Sequence, residues 1–440
     1  MSLPDHILIV GLGKSGVALA KFLYGTGRKI AITDAKTREA LAPSLKALEG
    51  IQFEGFFGGH EGDFLASYPF VVVSPGVDSR LPFLMEAKAK GIPVIGEIEL
   101  AARFTSEPII AVTGTNGKTT TTTLLGDIFS RAFKGVFVGG NIGNPFINHV
   151  AAKEDGSYVI LEVSSFQLET VETFRPQTAL LLNITEDHLD RYGSYKEYTD
   201  AKYRIFENQS STDFAVVRAG LAHEGLKAHT LFFSSTGPVA EGAFLEGDLM
   251  KVRVKGKEFL YKRSLSRLVG VHNTENLLAA LITAHIHDID QEIIEGALNQ
   301  FKGLAHRVEP VREIGGVVFY NDSKATNVDA TKRALESMNS KVVLIAGGKD
   351  KGGSYRSIAG LKEKLRAMVL IGEAKERIAR EIGDITQVYM ETDMQGAVER
   401  ALTIARKGDG VLFSPMCSSF DMFRDYKERG NIFKGIVESL

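Results

Sequence analysis

The stretch VTGTNGKTTTT, which begins at Val112 directly after the apolar run PIIA, has the layout of a loop that holds phosphate. Glycines let backbone N–H groups approach phosphate oxygens, and the start of the following helix adds positive potential. Lys118 can reach the outer phosphates of a nucleotide, and the Thr119 hydroxyl can bind Mg²⁺. The candidate phosphate-binding residues are Gly114, Thr115, Asn116, Gly117, Lys118, Thr119 and Thr120.

This loop departs from the standard P-loop pattern, because the first glycine of that pattern falls on Val112. The less specific alternative is a glycine turn that caps a helix and carries a solvated lysine. The coincidence of a strand, the glycines, the lysine and the threonine favours the nucleotide site.

Acidic and histidine side chains follow two further apolar runs. Glu162 ends YVILE, and a carboxylate at the carboxyl end of a parallel strand suits Mg²⁺. His188 follows TALLL in the company of Asp187 and Asp190, which makes it a candidate site residue. Lys202, in the helical stretch TDAKYRIFEN, is by local pattern an exposed helix lysine.

A second glycine-rich turn, Gly11 to Gly16 in GLGKSG, follows the strand HILIV, and Asp34 ends the next strand. This spacing is typical of a dinucleotide-binding fingerprint with its ribose-binding acid, so a nicotinamide dehydrogenase is an alternative. The physics requires only that a helix N-terminus receives a diphosphate, and UDP carries one as well.

Polar side chains also follow the strands of the last third of the chain, in NDSKATN, IAGGKDKGGSY and SPMCSSFDMFRDYKERGNIF. The last of these segments is expected to open a helix with hydroxyls ready for capping. An α-amino diacid needs cations or hydroxyls for its two carboxylates while its amine stays free. Thr326, Lys351, Ser419 and Tyr426 could provide them, although KDKGGS alone suggests a mobile surface loop.

Short apolar runs that alternate with helical patterns predict an α/β protein with parallel sheets. A chain of 440 residues fits two or three domains, with boundaries expected near residues 97 and 303. Lys+Arg (52) nearly balance Asp+Glu (54), which gives no electrostatic case for nucleic acid or an anionic membrane. With Cys417 as the only cysteine and no long apolar segment, we expect a cytoplasmic protein without membrane insertion.

The segments GTNGKTT, LEVSSFQLE, TEDHLDRY, NDSKATNVDAT and SPMCSSFD resemble those of the Mur ligase family across nearly the whole chain. The resemblance implies a Rossmann-like N-terminal domain (1–97) for a UDP substrate. It implies a central P-loop ATPase-like domain with a mostly parallel sheet (98–303) and a Rossmann-like C-terminal domain for the amino acid (304–440). The expected activity is ATP-dependent, ADP-forming amide ligation through an acyl phosphate.

The resemblance is greatest to members that add D-glutamate to UDP-N-acetylmuramoyl-L-alanine in peptidoglycan precursor synthesis, and it implies a monomer that uses two Mg²⁺ ions. It implies catalytic roles for Lys118, His188 and Lys202, with Lys202 carbamylated by CO₂. The metal-binding residues implied are Thr119, Glu162, His188 and Lys202. The additional ATP-binding residues implied are Asn273, Asn276 and Arg307. The UDP-substrate residues implied are Gly13, Lys14, Ser15, Asp34, Ala35, Lys36, Ser74, Asn141 and His188. The D-glutamate residues implied are Lys324, Thr326, Lys351, Ser419 and Tyr426.

Two positions depart from the family pattern. Members commonly have Thr-Arg after the acid where this chain has Ala35-Lys36, and commonly Phe where it has Tyr426. The alternatives are a related ligase that adds another amino acid, the dehydrogenase that GLGKSG suggests, and a nucleotide-dependent switch that binds a protein. Folylpolyglutamate synthesis is a weaker alternative, because the first block is of the UDP type.

Overall fold

Three mostly parallel β-sheets, each covered by helices, make up the α/β fold of the computed structural model. The structure describes residues 3–60, 64–152, 156–187, 191–221, 225–268 and 270–440. Within these ranges no helix is long and apolar enough to cross a bilayer.

The first sheet has five parallel strands in the order β3-β2-β1-β4-β5. Its central strands are continuous apolar runs, as expected for strands buried on both faces. The strands are β1 (His6–Val10), β2 (Lys29–Asp34), β3 (Glu54–Phe57), β4 (Val71–Val73) and β5 (Val94–Gly96). The helices are α1 (Lys14–Gly25), α2 (Ala42–Lys46), α3 (Phe64–Ser67), α4 (Pro82–Ala89) and α5 (Glu97–Ala102). The strand order reverses between β1 and β4, which opens a crevice at their carboxyl ends.

The second sheet has nine strands in the order β14-β13-β12-β11-β10-β9-β6-β8-β7, and only the β12–β14 edge is antiparallel. The strands are β6 (Ile109–Thr113), β7 (Val136–Gly140), β8 (Tyr158–Glu162), β9 (Thr178–Leu181), β10 (Phe214–Arg218), β11 (His229–Ser234), β12 (Gly242–Glu246), β13 (Leu249–Val254) and β14 (Lys257–Lys262). The helices are α6 (Lys118–Ala132), α7 (Phe146–Ala152), α8 (Ser165–Leu168), α9 (Tyr195–Tyr203), α10 (Val271–Ile286) and α11 (Gln291–Gln300), with 3-10 turns at Arg204–Phe206 and Arg263–Leu265. Because β6 lies between β8 and β9, the loops after these three strands meet.

The third sheet has six strands in the order β15-β16-β20-β17-β18-β19, and only β15 is antiparallel. The strands are β15 (Glu309–Ile314), β16 (Val317–Asn321), β17 (Val342–Gly347), β18 (Leu365–Ile371), β19 (Val388–Met390) and β20 (Gly410–Phe413). The helices are α12 (Val328–Ser337), α13 (Lys375–Ile382), α14 (Met394–Ile404) and α15 (Tyr426–Ser439), with a 3-10 segment at Tyr355–Lys364. The loops after β16, β20 and β17 are neighbours, since β20 lies between the other two.

Buried carboxylates at the start of α5 tie the first sheet to the second. Glu99 accepts backbone N–H bonds from residues 172–174, and Glu97 accepts one from Ile147 at 2.7 Å. Burial raises the pKa of Glu97 to about 7, although the backbone N–H donors of the 146–147 segment oppose that rise. The junction therefore holds the two sheets through specific hydrogen bonds rather than through a loose linker.

The predicted α/β class with mostly parallel sheets is confirmed. The edge strands β3 and β15 lie outside the predicted strands, and their partly exposed residues lack the continuous apolar pattern that marks the central strands. The segment SPMCSSFDMFRDYKERGNIF opens a helix as expected, but α15 begins only at Tyr426 after a loop at 414–425, and its N-cap is the Asp425 carboxylate rather than a hydroxyl. The hydroxyl of Ser414 donates to Asp322 instead, and the Ser418 backbone pairs with Lys349.

Candidate active site

A cavity of about 610 Å³ lies at the carboxyl ends of the first sheet, at the crevice between β1 and β4. The predicted UDP-substrate residues that line it are Gly13, Lys14, Ser15, Asp34, Ala35, Lys36, Ser74 and Asn141. His188 lies outside the described residues. All the other residues predicted for this ligand therefore face one cavity.

Asp34 fixes the glycine-rich turn through its carboxylate. One carboxylate oxygen accepts from the backbone N–H of Leu12 at 2.7 Å, and the other accepts from that of Lys36 at 2.9 Å. The turn is tight, because a Cβ at Gly16 would stand 2.0 Å from the carbonyl oxygen of Gly11. The glycine spacing therefore serves close packing of α1 against the turn.

His60 is a lining residue of this cavity that sequence reasoning missed. Its Nδ1 lies 3.0 Å from the Thr33 hydroxyl, and its ring packs against Phe83 at 5.3 Å between centroids. Burial lowers its pKa, against the opposing charge of Asp34, which favours the neutral ring. Its position after β3, an unpredicted strand, hid it from the sequence pattern.

A second cavity, of about 360 Å³, lies where the loops of the second and third sheets meet. Predicted site residues from both sheets line it: Thr115, Asn116, Gly117, Lys118, Thr119, Asn141, Glu162, Lys202, Arg307, Lys324, Thr326, Lys351, Ser419 and Tyr426. The structure thus brings the predicted phosphate, metal and amino-acid residues into one space, with His188 outside the described part.

The phosphate loop is held by the loop that follows β9. Asn183 receives the backbone N–H of Asn116 on its side-chain oxygen at 2.8 Å, and its amide donates to the Asn116 carbonyl at 2.9 Å. The Thr115 backbone N–H also donates to the Asn183 carbonyl, and the Thr115 hydroxyl lies 3.0 Å from that of Tyr198. Asn183 and Tyr198 were missed by sequence reasoning, although Asn183 follows a strand end as the predicted residues do.

Two lysine amines converge on the carbonyl of Gly114. Lys118 Nζ donates to it at 2.8 Å and to the Thr115 carbonyl at 2.9 Å, and Lys202 Nζ donates to it at 3.0 Å. Lys202 is 1% exposed, so the local-pattern expectation of a solvated helix lysine is wrong. The face of α9 that carries it packs over the phosphate loop, with the Tyr198 ring 4.6 Å from the amine.

Burial lowers the pKa of both amines, and the positive charge of Lys118 lowers that of Lys202 further, to well below its ordinary value. The charges of Glu162 and Asp187 oppose both shifts. This environment favours the unprotonated form of the Lys202 amine.

Glu162 offers the site a buried carboxylate oxygen. Its Oε1 accepts from the Asn141 amide at 2.6 Å, whereas its Oε2 has no hydrogen-bond partner among the described residues. Buried polar groups are normally satisfied, so such an oxygen in a cavity that Thr119 also lines fits Mg²⁺, which takes oxygen ligands. The described chain has no cluster of three His, Cys, Asp or Glu side chains suited to a metal, and Mg²⁺ commonly shares its shell with substrate phosphates.

A smaller pocket of about 70 Å³ adjoins the phosphate loop and is lined by Thr120, Asn273, Asn276 and Arg307, together with His272. A Cβ at Gly117 would lie 2.3 Å from Asn276 Oδ1, which shows how closely the loop meets α10. The asparagines lie inside the first turns of α10 rather than at its N-cap, which is Gly270. Burial lowers the pKa of His272, a residue that sequence reasoning missed, to about 4.

The third sheet supplies cations and hydroxyls to the cavity of about 360 Å³ where the loops of the second and third sheets meet. Lys324 Nζ lies 3.9 Å from the centroid of the Tyr426 ring, and burial, followed by the charge of Arg307, lowers the Lys324 pKa to about 8. Arg307 donates to the Thr119 hydroxyl at 2.9 Å, which joins the third sheet to the phosphate loop.

A partly buried network supports the loops that carry Lys351 and Ser419. Asp350 accepts from the Tyr355 hydroxyl at 2.8 Å and from the Arg377 guanidinium, and the same hydroxyl lies 3.2 Å from Cys417 Sγ. Residues 349 and 418 form a β-bridge that joins the two loops. The KDKGGS loop is therefore anchored at its start, which a reading of its glycines alone did not indicate.

Comparison with known proteins agrees with this geometry. Family models match three consecutive parts of the chain: the Mur ligase MurD-like N-terminal domain (residues 5–96), the Mur ligase middle domain (112–284) and the Mur ligase glutamate ligase domain (306–417). The UDP-N-acetylmuramoylalanine–D-glutamate ligase of Geobacter metallireducens is 49% identical over 99% of this chain and 97% of its own length.

Two solved structures share the fold at low sequence identity. The UDP-N-acetylmuramate-alanine ligase of Thermotoga maritima aligns with a TM-score of 0.60 at 21% identity over 99% of each chain. A second ligase of Thermotoga maritima, MurF, solved with ADP, aligns with a TM-score of 0.61 at 18% identity over 93% of this chain and 95% of its own.

The chain belongs to the Mur ligase family, whose members are ATP-dependent, ADP-forming amide ligases. The relatives favour neither the dehydrogenase nor a related ligase that adds another amino acid.

Proposed function

We propose that the chain joins D-glutamate to UDP-N-acetylmuramoyl-L-alanine at the expense of ATP. The observation that carries the proposal is the position of Asn141. This residue lines both the cavity at the first sheet and the cavity between the second and third sheets, and its amide donates to Glu162 at 2.6 Å. A substrate whose UDP occupies the first cavity can therefore extend past Asn141 and present its other end to the phosphate loop. The relative from Geobacter metallireducens, which is named for this reaction, supports the choice of substrates.

The reaction has two chemical steps. The L-alanyl carboxylate attacks the ATP γ-phosphorus, so that a carboxylate–phosphorus bond forms and the bond to ADP breaks. The D-glutamate amine then attacks the acyl carbon, phosphate leaves with the bonding electrons, and the amine loses a proton. Lys118, at the end of the phosphate loop, stabilises the charge that is transferred in the first step.

The oxygen ligands for Mg²⁺ would come from Thr119, Glu162 and a carbamate on Lys202, with His188 as a further predicted ligand. When bound, Mg²⁺ neutralises phosphate charge and orients the oxygens that react. The buried amine of Lys202, whose pKa is lowered by burial and by the charge of Lys118, supports the carbamate proposal, because CO₂ adds to an amine only in its unprotonated form. The carbamate would convert a group that repels a metal cation into an anionic oxygen ligand.

The adenine would occupy the pocket of Asn273 and Asn276, whose amides can donate and accept at one base edge. The D-glutamate carboxylates would be held by the lysines and hydroxyls of the third sheet: Lys324, Thr326, Lys351, Ser419 and Tyr426. We further propose the domain limits 1–97, 98–303 and 304–440. A monomeric state and a cytoplasmic location remain predictions from the sequence.

Phosphate release tests the proposal. Purified enzyme with ATP, Mg²⁺ and UDP-N-acetylmuramoyl-L-alanine is assayed against a panel of D- and L-amino acids. We expect release that requires both the UDP substrate and D-glutamate. Equal or faster turnover with another amino acid would identify a related ligase, and release that needs no UDP substrate would contradict the proposal.

A further inference from the structure

One carboxylate oxygen joins the phosphate loop to the third sheet. Asp329, in the first turn of α12, accepts on Oδ2 from the Asn116 side-chain amide at 2.7 Å and from the Thr185 hydroxyl at 3.2 Å. Asn116 follows β6 and Thr185 follows β9, so both donors belong to the second sheet. Asp329 therefore links α12, which belongs to the third sheet's domain, to the loops that follow β6 and β9 in the second sheet.

The carboxylate is held in place from its own helix. Arg333, one turn further along α12, donates from Nε to the same oxygen at 2.9 Å, and its guanidinium lies 4.0 Å from Glu275 on α10. The Asp329 and Arg333 side chains are 23% and 17% exposed, so solvent screens their ion pair less than it screens a surface pair. Arg333 therefore orients Asp329 and contributes its own contact to the second sheet.

The phosphate loop does not need Asp329 for its own shape. Both backbone groups of Asn116 are bonded to the Asn183 side chain, which leaves the Asn116 side chain to reach across to α12. If the third sheet moved away together with α12, the loop would keep its bonds to Asn183 and would lose the bonds that cross to Asp329 and from Arg307. The hydrogen bond between Asn116 and Asp329 therefore depends on how the second and third sheets are placed relative to each other, not on the folding of either sheet.

We infer that Asp329 is a positioning residue that holds the amino-acid domain against the phosphate loop in the arrangement needed for amide formation. This inference rests on the proposed function, because the second chemical step requires groups from both sheets around one acyl phosphate. Asn327, the N-cap of α12, adds a parallel bond to Asp187 at 2.9 Å. Asp329 differs in that it contacts the phosphate loop itself.

The first test compares Asp329→Ala and Asp329→Asn with a matched control, Asp384→Ala. Asp384 is an exposed acid of the same domain whose ion pair with Arg356 lies away from the site. In the Ala variant, kcat/KM for D-glutamate should fall by about 10-fold or more, as expected for the loss of charge-assisted bonds. ADP affinity, measured by calorimetry, should stay at the parent value. The Asn variant keeps an acceptor oxygen but loses the charge, so its loss should be intermediate.

A purely structural role predicts a different pattern, with a lowered melting temperature and parallel losses of ADP affinity and activity. Parent-like kcat/KM for D-glutamate in Asp329→Ala would overturn the inference. A parent enzyme that does not turn over these substrates would contradict the proposed function instead.

The second test does not depend on turnover. Spin labels at Lys134→Cys and Glu376→Cys report the distance between the two domains, since both positions are exposed and the native Cys417 is buried. With ADP bound, the distance distribution should be broader or longer in Asp329→Ala than in the parent and in Asp384→Ala. Identical distributions in all three proteins would overturn the inference.

Discussion

Replacement of Lys202 distinguishes two roles of this residue: support of the phosphate loop by a hydrogen bond, and attachment of a carbamate. Its side chain is 1% exposed, and its amine donates to the Gly114 carbonyl of the phosphate loop at 3.0 Å. Burial and the nearby Lys118 keep its pKa well below the ordinary value, which favours the unprotonated amine. The same environment that makes an ammonium costly makes a nucleophilic amine available to CO₂.

The two roles predict losses of different size. A neutral hydrogen bond contributes about 0.5–1.5 kcal/mol net. If Lys202 only supports Gly114, its truncation should therefore lower turnover by about 2- to 12-fold. A group that helps to stabilise transition-state charge costs about 10²- to 10³-fold when it is removed. We expect the larger loss for both Lys202→Ala and Lys202→Arg, because guanidinium cannot form the carbamate and would bring a buried cation to the site.

Phosphate release at saturating substrates measures these losses, and Lys196→Ala is the matched control, since Lys196 lies on the same helix and is exposed. The space vacated in Lys202→Ala can admit formate or acetate, which supply carboxylate oxygens. These ions should partly restore Lys202→Ala but not Lys202→Arg. Removal of CO₂ from the buffer should lower the activity of the parent, and bicarbonate should restore it.

Three results would refute this reasoning. Parent-like turnover by Lys202→Arg would show that the carbamate is not needed. A loss within about 10-fold in Lys202→Ala would fit a single supporting hydrogen bond. A parent enzyme that is indifferent to CO₂, together with an Ala variant that does not respond to formate, would leave only the structural role. Thermal melting of each variant controls for misfolding.

Three further predictions concern other parts of the molecule. Lys118→Ala should keep the fold, checked by its melting temperature, and lose about 10²-fold or more in turnover, because one transition-state charge partner is missing; near-parent phosphate release would exclude Lys118 from the ATP site. Lys351→Ala should raise KM for D-glutamate by about 10- to 150-fold while leaving KM for ATP nearly unchanged, since a charge-assisted bond to a carboxylate contributes about 1.5–3 kcal/mol; an unchanged KM for D-glutamate would remove Lys351 from that site. Burial raises the pKa of Glu97 from 4.5 to about 7, so its contribution to stability is fully present below pH 4.5 and is lost as the pH rises through 7, by about 3 kcal/mol in total. Glu97→Gln should therefore melt above the parent at pH 8 and similarly to it near pH 4.5, and a difference independent of pH would contradict the assigned pKa.

Much of the site could be predicted because parallel sheets collect polar residues at the carboxyl ends of their strands. GTNGKT, Glu162 and NDSKAT each follow a continuous apolar run, and the topology brings such segments together within each sheet. His60 escaped this logic because it follows an edge strand whose side chains are half solvated, so its sequence lacks the apolar run that marks the others.

The burial of Lys202 could not be predicted from its local pattern. The helix YKEYTDAKY has low overall hydrophobicity, and the face that carries Lys202 is buried only because it packs over the phosphate loop. The resemblance to the Mur ligases implied a site role for Lys202, whereas the local sequence pattern predicted an exposed lysine. Likewise, the contact between Asp329 and Asn116 joins residues more than two hundred positions apart and depends on how the second and third sheets pack.

Three lysines with lowered pKa values line the cavity where the loops of the second and third sheets meet. Burial lowers the pKa of Lys118, Lys202 and Lys324, and in each case a neighbouring cation lowers it further. Positive groups crowded in this way are costly while the site lacks anions, and the cost falls when phosphates and carboxylates enter. Lys202 is the extreme case, because its neighbour Lys118 occupies the same carbonyl of Gly114. The cationic groups that line this cavity are therefore placed to stabilise the anionic transition states of acyl-phosphate chemistry.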